Sequence, residues 1–368
     1  MRTFIRAAAP AGAKTLEARW YIAPSIFERE RESIFARSWV AVGRTDQISR
    51  AGEYFLSEVA DESLIIVRDE QQGVHAFYNV CRHRGTRLCS KPQGCFKKSI
   101  QCPYHAWTYG LDGRLQVARN MEGSTGFERA DYPLREARIA TFEGFLFVCL
   151  DEAAASWEQS FAPLDGRFPS WQLPKLRAAK RIEYDVQANW KLIFQNYSEC
   201  YHCPVIHPQL ERLSPSESGR NDLTEGAFLG GYSRLRDGKS LSLSGSSTRK
   251  PLPGLSDDDR SRAYYYTIFP SLLLSLHPDY AMAHYVWPVA ADRTNVVCEW
   301  LFAEDELNRH APDVRDVVEF WDLTNRQDWH VNELTQAGIS SRAYSPGPYA
   351  FQEGLLHAFD RHYLSLMT

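Results

Sequence analysis

The chain has 368 residues, of which 44% are hydrophobic and 13% aromatic, so it is long enough for two domains with substantial cores. Its net charge of −4 and the lack of a basic stretch argue against nucleic acid as a partner. No apolar run reaches the roughly 18 residues of a membrane span, and the N-terminus lacks the apolar core of a secretory signal. The eight cysteines do not suggest a disulfide scaffold, so a cytoplasmic location is expected.

The chain begins with a helical pattern and then changes to β periodicity. Over residues 15–40, apolar residues recur at helical spacing opposite a charged face. From residue 40 to 152, short β-type runs are separated by turns that contain Gly and Asp. These patterns predict an N-terminal helical segment (1–39), which packs on the C-terminal domain, and a small all-β domain (40–152).

Two Cys–His pairs lie within the predicted β domain. Cys81 and His83 are spaced Cys-x-His, and Cys102 and His105 are spaced Cys-x-x-His. Two thiolates and two imidazoles are the ligands of a Rieske 2Fe–2S cluster, in which the cysteines hold one iron and the histidines hold the other. A mononuclear zinc site is the alternative, but zinc fingers usually place like ligands next to each other. The mixed pairs therefore favour a Rieske cluster.

Residues 153–368 combine helical and β patterns, which predicts a second domain. The predicted elements are a strand near 181, a helix over 189–203, three antiparallel strands between 263 and 302, and helices over about 313–337 and 350–366. Residues 240–260 are rich in Ser, Gly, Pro and Asp, so they predict a flexible loop near the entrance of a pocket.

A second candidate site begins at Asn196. Glu199 and His202 are three residues apart, so on the predicted helix they share a face. Pro204 disfavours helical geometry at the residue before it, which allows His207 to turn back towards the same pocket. Two histidines alone are a modest signal, because zinc binding and buried structural histidines are alternatives.

A carboxylate that completes this site is predicted on the helix that starts near residue 313. Asp328 lies two turns after Trp321, on the apolar face of that helix. An acid on such a face is costly unless it is paired or binds a metal, and Glu333 is the second choice. Two histidines and one carboxylate form the facial triad of non-haem Fe(II) oxygenases, which leaves positions open for O2.

Both segments resemble a known protein family. The two Cys–His loops look like the cluster-binding loops of Rieske non-haem iron oxygenases, which are the terminal oxygenase α subunits of ring-hydroxylating dioxygenases and their monooxygenase and demethylase relatives. The pattern Glu199-x-x-His202-x(4)-His207 resembles the catalytic-iron motif of this family, although many members have Asp in place of the Glu. Residues 325–333 resemble the segment in which the aligned Asp binds iron.

The resemblance implies a fold and a set of site residues. The fold is expected to be α+β, with an all-β Rieske domain (40–152) and an α/β catalytic domain (153–368) whose antiparallel sheet is flanked by helices, as in helix-grip or START-like folds. The implied residues are Cys81, His83, Cys102 and His105 for the cluster, His202, His207 and Asp328 for the mononuclear Fe(II), and Glu199 and Asn196 as catalytic groups.

The two metal centres imply partners. Activation of O2 at the iron needs electrons delivered one at a time, and the chain shows no Gly-rich dinucleotide fingerprint. NAD(P)H is therefore expected to act through a separate reductase, with or without a ferredoxin. The resemblance also implies a homotrimer, or a multiple of it, in which Glu199 joins an iron histidine to a cluster histidine of the next subunit.

The resemblance implies an oxidoreductase that incorporates oxygen from O2 into a small organic substrate. Hydroxylation or oxidative demethylation, including that of a quaternary ammonium compound, is one expectation, and hydroxylation or dihydroxylation of an aromatic compound or carboxylate is the alternative. A Rieske electron carrier without oxygenase activity is an alternative of another class, and it would lack the mononuclear site. A cage for a cation is suggested by a group of aromatic residues, although sheet packing explains most of them: Tyr264, Tyr265, Tyr266, Phe269 and Tyr280.

Overall fold

The computed structural model describes residues 2–308 and 314–367. The chain forms two compact units, Ile34–Ser160 (the β unit) and Met1–Ser33 with Phe161–Thr368 (the mixed unit). The predicted combination of an all-β domain with an α/β domain is confirmed, because one unit is built from strands and the other from an antiparallel sheet with helices. The predicted domain boundaries at 39/40 and 152/153 lie close to these divisions and remain predictions.

The β unit consists of short strands joined by tight turns. Its strands are β1 Val40–Arg44, β2 Glu53–Val59, β3 Glu62–Arg68, β4 Val74–Tyr78, β5 Gln93–Cys95, β6 Ser99–Gln101, β7 Thr108–Gly110, β8 Leu115–Val117, β9 Glu136–Phe142 and β10 Phe145–Cys149. Seven of them form an antiparallel sheet in the order β1-β10-β9-β4-β3-β2-β5, and β6, β7 and β8 form a smaller sheet.

The core of the β unit encloses both cysteines of the predicted cluster. Strand β3 is fully buried over residues 64–67, as its continuous apolar sequence predicts. Packing of buried side chains connects this strand with Cys81, Cys102 and Tyr109. The loops that carry the two thiols are therefore anchored in a packed core, which fixes their positions.

The mixed unit is organised around one seven-stranded antiparallel sheet. Its strands are β11 Leu176–Val186, β12 Arg220–Glu225, β13 Phe228–Arg234, β14 Arg262–Ile268, β15 Leu272–Leu276, β16 Ala281–Ala290 and β17 Arg293–Ala303. They follow the order β11-β17-β16-β15-β14-β13-β12, so β12 is an edge strand.

Helices complete the mixed unit. They are α1 Arg19–Ile22, α2 Pro24–Glu30, α3 Trp157–Phe161 at the division between the units, α4 Trp190–Tyr197, α5 Cys203–Ile206, α6 Pro208–Leu213, α7 Asp257–Arg260, α8 Glu304–Leu307, α9 Arg315–Ile339 and α10 Gly354–Met367. The helical region observed in the structure is shorter than the predicted 15–40, since a π-helical turn follows α2 and β1 begins at Val40. The predicted start near 313 lies outside the described residues. Among the helices of the described part of the chain, none has the length and apolar character that a membrane crossing needs.

The N-terminal segment is tied to the mixed unit by a buried ion pair. Glu30 of α2 and Lys191 of α4 are fully buried, and Nζ of the lysine lies 2.5 Å from Oε1 of the glutamate. Tyr363 of α10 and Trp190 donate hydrogen bonds to the same carboxylate at 2.6 and 2.8 Å. A buried charge is tolerated when it is paired and hydrogen-bonded, so this network holds α2, α4 and α10 together.

The segment 240–260 is packed at several positions and does not line the pocket, so its predicted place at the pocket entrance is wrong, whereas its flexibility stays a prediction. Leu241 and Leu252 are almost fully buried, and none of the residues of this segment lines the pocket described below. The Arg249 guanidinium donates from Nε to Asp279 at 2.9 Å and from Nη1 to Asp316 at 3.2 Å. Apolar and charged anchors between the small residues give the segment the packed face that its composition did not suggest.

Candidate functional site

The first Cys–His loop is shaped by two backbone hydrogen bonds around Cys81. Its amide donates to the carbonyl of Thr86 at 2.8 Å, and the amide of Gly85 donates to the carbonyl of Cys81 at 3.0 Å. Gly85 has a positive φ of 74°, which glycine adopts without strain. The turn therefore directs the Cys81 and His83 side chains from a fixed backbone.

The second Cys–His loop repeats this pattern. The Cys102 amide donates to the carbonyl of Trp107 at 2.8 Å, and the Ala106 amide donates to the carbonyl of Cys102 at 3.2 Å. Ala106 has a positive φ of 57° at the position that matches the glycine of the first loop. Two loops of the same shape thus present one thiol and one imidazole each.

The side chains of the two loops converge in a way that fits a Rieske cluster. Cys81 and Cys102 are buried, and the rings of His83 and His105 lie 4.8 Å apart. Nδ1 of His105 is buried and has no hydrogen-bond partner among the described residues, so a cluster iron would satisfy it.

A second group of ligands lies in the mixed unit. His202, His207 and Asp328 each offer one ligand atom, and these atoms lie within 4.8 Å of one another. Nε2 of His207 lies 2.7 Å and Nε2 of His202 lies 3.3 Å from Oδ1 of Asp328. Two imidazole nitrogens and a carboxylate that face a common point are the donor set of a mononuclear Fe(II) site.

Each of the two histidines is oriented by a hydrogen bond on its other ring nitrogen. Nδ1 of His202 lies 2.5 Å from Oε1 of Glu199, and Nδ1 of His207 lies 2.8 Å from Oε1 of Gln327. Because both partners are acceptors, each Nδ1 would carry a proton in the metal-bound protein, and each Nε2 would face the metal position. Gln327 was not predicted from the sequence, although its position beside Asp328 is a signal that could have found it.

The electrostatics of this group favour an ionised Asp328. Burial alone would lower the pKa of His202, but hydrogen bonds with Asp328 and Glu199 raise it to about 10. Burial would raise the pKa of Asp328, and the hydrogen bonds from His202 and His207 overcome this and lower it. In the metal-free protein a proton on His202 thus balances the carboxylates, and a bound cation would take over that role.

The backbone of the segment that carries Glu199 and His202 differs from the prediction. Helix α4 ends at Tyr197, so the two residues lie in an irregular turn and not on one helix face. Helix α5 begins at Cys203 with Pro204 in its first turn, where proline is tolerated because no amide is needed. The expected helix break at Pro204 is therefore wrong, yet the carboxylate and the imidazole still meet.

The positions of the two remaining candidate site residues distinguish them from each other. Asn196 of α4 lines the cavity next to the metal-binding group, and its predicted catalytic role stays a prediction. Glu333, the second choice for the carboxylate, accepts a hydrogen bond from the backbone amide of Gln187 at 3.1 Å and does not join the group. The structure thus brings Asp328, and not Glu333, to the histidines.

His202 lies in the sequence between two cysteines that form a disulfide bond. Cys200 and Cys203 are bonded to each other across a separation of three residues, and both line the cavity. The sequence did not lead us to expect this bond, although the Cys-x-x-Cys spacing is a known redox signal. The bond restricts the short loop that presents His202.

A cavity opens beside the metal-binding group. Its empty volume, counted to the open mouth, is about 1430 Å³. Five rings in successive contact form one side of it, which we call the aromatic wall: Trp321, Tyr265, Tyr197, His284 and Trp329, with neighbouring centroids 6.4, 6.1, 6.2 and 6.4 Å apart. The five rings line the same cavity as the two histidines and Asp328.

The aromatic wall differs from the cage that the sequence suggested. Only Tyr265 of the five predicted residues lines the cavity. Side chains alternate across a strand, so Tyr264 and Tyr266 of β14 face the other side of the sheet, where they contact Trp171 and Phe168. The other rings of the wall come from α4, β16 and α9, which no local pattern connects.

Comparison with known proteins agrees with this arrangement. Residues 173–368 match the family of ring hydroxylating alpha subunits (catalytic domain), and residues 38–139 match the Rieske [2Fe-2S] domain. The chain is 30% identical to the glycine betaine monooxygenase oxygenase subunit of Pseudomonas aeruginosa strain UCBPP-PA14, over 93% of this chain and 86% of that protein. It is 31% identical to the carnitine monooxygenase oxygenase subunit of Escherichia coli K12, over 91% and 87%.

A solved structure is similar over almost the whole chain. It is that of a quaternary ammonium Rieske monooxygenase, with a TM-score of 0.82, 26% identity, and coverage of 96% of this chain and 95% of that one. Both domain matches and both groups of converging side chains indicate the same family. The chain belongs to the Rieske oxygenases, as an oxygenase α subunit with a 2Fe–2S domain and a mononuclear iron domain.

Proposed function

We propose that this oxygenase subunit oxidises an N-methyl group of a small quaternary ammonium compound. The aromatic wall beside the candidate iron ligands is the observation that supports this most directly. Trimethylammonium groups bind to the faces of aromatic rings through cation–π attraction. The relatives described above are oxygenase subunits for glycine betaine and carnitine, which both carry such a group.

The metal ligands are part of the proposal. Cys81, His83, Cys102 and His105 would hold the cluster, and His202, His207 and Asp328 would hold the mononuclear iron. When bound, the iron supplies the site at which O2 is activated, and the cluster supplies an electron to it. The electrons would come from NAD(P)H through a separate reductase, with or without a ferredoxin, and the protein would act in the cytoplasm.

The charge of the cavity suits a cation. Burial lowers the pKa of His284 to about 4, although a hydrogen bond with Asn325 opposes this, so the ring is neutral at pH 7. A neutral imidazole in the aromatic wall does not repel an ammonium group. The carboxylates of Glu199 and Asp328 line the same cavity, where a bound metal ion or a protonated His202 would balance their charge.

The protein side chains have separate tasks in this reaction. The aromatic wall positions the cation and excludes water from it, so that one methyl group points towards the candidate iron ligands. Glu199 holds the Nδ1 proton of His202 and thereby keeps Nε2 directed at the metal position. Asn196 offers an amide to the same end of the cavity. Oxygen insertion into the methyl C–H bond would give an N-hydroxymethyl group, which releases formaldehyde.

We also propose that the subunits assemble as a homotrimer or a multiple of it. The similar solved protein uses electron transfer between subunits. A cluster on one subunit would then lie next to the mononuclear site of its neighbour, and a contact of this head-to-tail kind closes into a ring. Glu199 would accept a second hydrogen bond from His105 of the neighbouring subunit.

A substrate panel tests the reaction. Purified enzyme with a surrogate reductase and NADH is mixed with glycine betaine, carnitine, choline and an aromatic carboxylate, and O2 uptake and formaldehyde are measured. We expect formaldehyde in about a 1:1 ratio to coupled O2 uptake for at least one trimethylammonium compound. The control is the isostere with an uncharged carbon in place of the ammonium nitrogen, which should bind roughly tenfold more weakly because it lacks the cation.

The panel also identifies the alternative. Hydroxylation of the aromatic carboxylate without any demethylation would show that the enzyme hydroxylates rings and does not oxidise N-methyl groups. Equal binding of the cation and its neutral isostere would show that the aromatic wall acts through shape alone. Both outcomes would contradict the proposal while leaving the membership in the family untouched.

A further inference from the structure

Arg6 and Ala7 of the N-terminal segment line the cavity. The amide of Ile5 donates to the carbonyl of Asn221 at 2.8 Å, and the amide of Asn221 donates back to Ile5 at 2.6 Å. The amide of Ala7 donates to the side-chain oxygen of Asn221 at 3.2 Å. These bonds add residues 5–7 to the edge strand β12, and they hold Arg6 at a fixed backbone position.

Arg6 has an available guanidinium group. Its Nη2 donates to the backbone carbonyl of Glu217 at 2.9 Å, and among the described residues no carboxylate lies within ion-pair distance of it. The Glu217 side chain lines the same end of the cavity but does not form an ion pair with Arg6. The other N–H groups of the guanidinium can therefore bind an anion in the cavity.

The described lining of the cavity contains one guanidinium group. Among the described residues that line it, Arg6 alone carries a guanidinium or ammonium group. Arg6 lies where the cavity borders β12 and its connection to α6, and Glu199, Glu217 and Asp328 carry carboxylates in the same lining. A molecule with a cation at one end and a carboxylate at the other has a partner for each group in this lining, the aromatic wall and Arg6.

We propose that Arg6 is a specificity-determining residue that binds the carboxylate of a zwitterionic quaternary ammonium substrate. The inference rests on the proposed N-methyl oxidation. Once the trimethylammonium group contacts the aromatic wall, Arg6 is the guanidinium in the described lining that can pair with the carboxylate. A guanidinium binds a carboxylate through two parallel hydrogen bonds, which an alcohol cannot match. Arg6 thus selects betaines over amino alcohols.

The test compares two substrates that share the cationic end. Glycine betaine ends in a carboxylate, and choline ends in a hydroxyl group at nearly the same distance from nitrogen. We expect Arg6→Gln to lower kcat/KM for glycine betaine by roughly tenfold or more and to change that for choline by less than about twofold. Arg6→Lys should recover part of the loss, because it keeps the charge but not the planar fork.

The matched control is Arg220→Gln. Arg220 also donates to the Glu217 carbonyl, at 3.2 Å, but it does not line the cavity. The substitution therefore removes an arginine and a hydrogen bond from the same place without removing a contact to the substrate. The kcat/KM for either substrate should change by less than about twofold. Calorimetric binding of glycine betaine and choline to the iron-loaded variants gives a readout that does not depend on turnover.

The possible outcomes separate this inference from the proposed function. A selective loss with glycine betaine in both turnover and binding supports it. An equal effect of Arg6→Gln on both substrates, or a wild-type enzyme that prefers choline, overturns the role of Arg6 and leaves N-methyl oxidation intact. A wild-type enzyme that oxidises no quaternary ammonium compound overturns the proposed function and this inference with it.

Discussion

Replacing Asp328 with alanine is expected to abolish turnover and to remove the mononuclear iron while the Rieske cluster remains. Oδ1 of Asp328 is the atom to which both Nε2 nitrogens point, so the variant loses the one carboxylate of the triad. Two imidazoles alone bind Fe(II) weakly. Iron should fall from about three to about two per chain, with acid-labile sulfide unchanged. The drop in kcat should be at least roughly 1000-fold.

The control for this experiment is Glu333→Ala. Glu333 lies on the same helix, and its carboxylate only accepts a hydrogen bond from the Gln187 amide. This variant should keep about three irons per chain and most of the activity. Iron that stays at the wild-type level in Asp328→Ala, or that is lost in Glu333→Ala, would show that the ligand is assigned to the wrong residue.

Glu199→Gln is expected to keep both metal centres and the oligomer but to lose about 100-fold in turnover. Glutamine has the same length, and its amide oxygen can still accept the hydrogen bond from Nδ1 of His202. What is lost is the negative charge that strengthens the bond to His202 and, in the proposed assembly, the bond from His105 of the neighbouring subunit. The measurements are iron content, the mass of the assembly, cluster reduction by the reductase, and product formation.

A nearby charge provides the control for Glu199→Gln. Glu353 interacts electrostatically with Glu199 and His202, but its Oε2 accepts a hydrogen bond from the Ala350 amide and not from a histidine. Glu353→Gln should therefore retain turnover within about threefold. Wild-type turnover in Glu199→Gln would exclude the bridging role, and an active monomer of the wild type would exclude the assembly.

The parts of the site that could be predicted are those with a local signature. Cys-x-His and Cys-x-x-His bring unlike ligands together within one loop, so their spacing alone indicates a cluster. Asp328 could be found because an acid on the apolar face of a helix demands a partner. The structure brings His202 and His207 to this acid, whereas the ligand roles themselves stay predictions until metal is measured.

Other parts could not be predicted because they depend on the tertiary structure. The aromatic wall joins rings from α4, α9, β14 and β16, and sequence proximity instead suggested Tyr264 and Tyr266, which face away from the cavity. The 240–260 segment looked flexible by composition, but Arg249 and the buried leucines anchor it. Arg6 gave no signal at all, because only its pairing with β12 brings it to the cavity.

A single-turnover experiment is the most direct test of N-methyl oxidation by this chain. The enzyme is loaded with iron, reduced, freed of reductant and reductase, and then mixed with O2 and a trimethylammonium substrate. The cluster and the Fe(II) hold one electron each, which is enough for one oxidation. We predict up to about one formaldehyde per mononuclear iron, together with oxidation of the cluster. Oxidation of the cluster without formaldehyde from any trimethylammonium compound would contradict the proposed function.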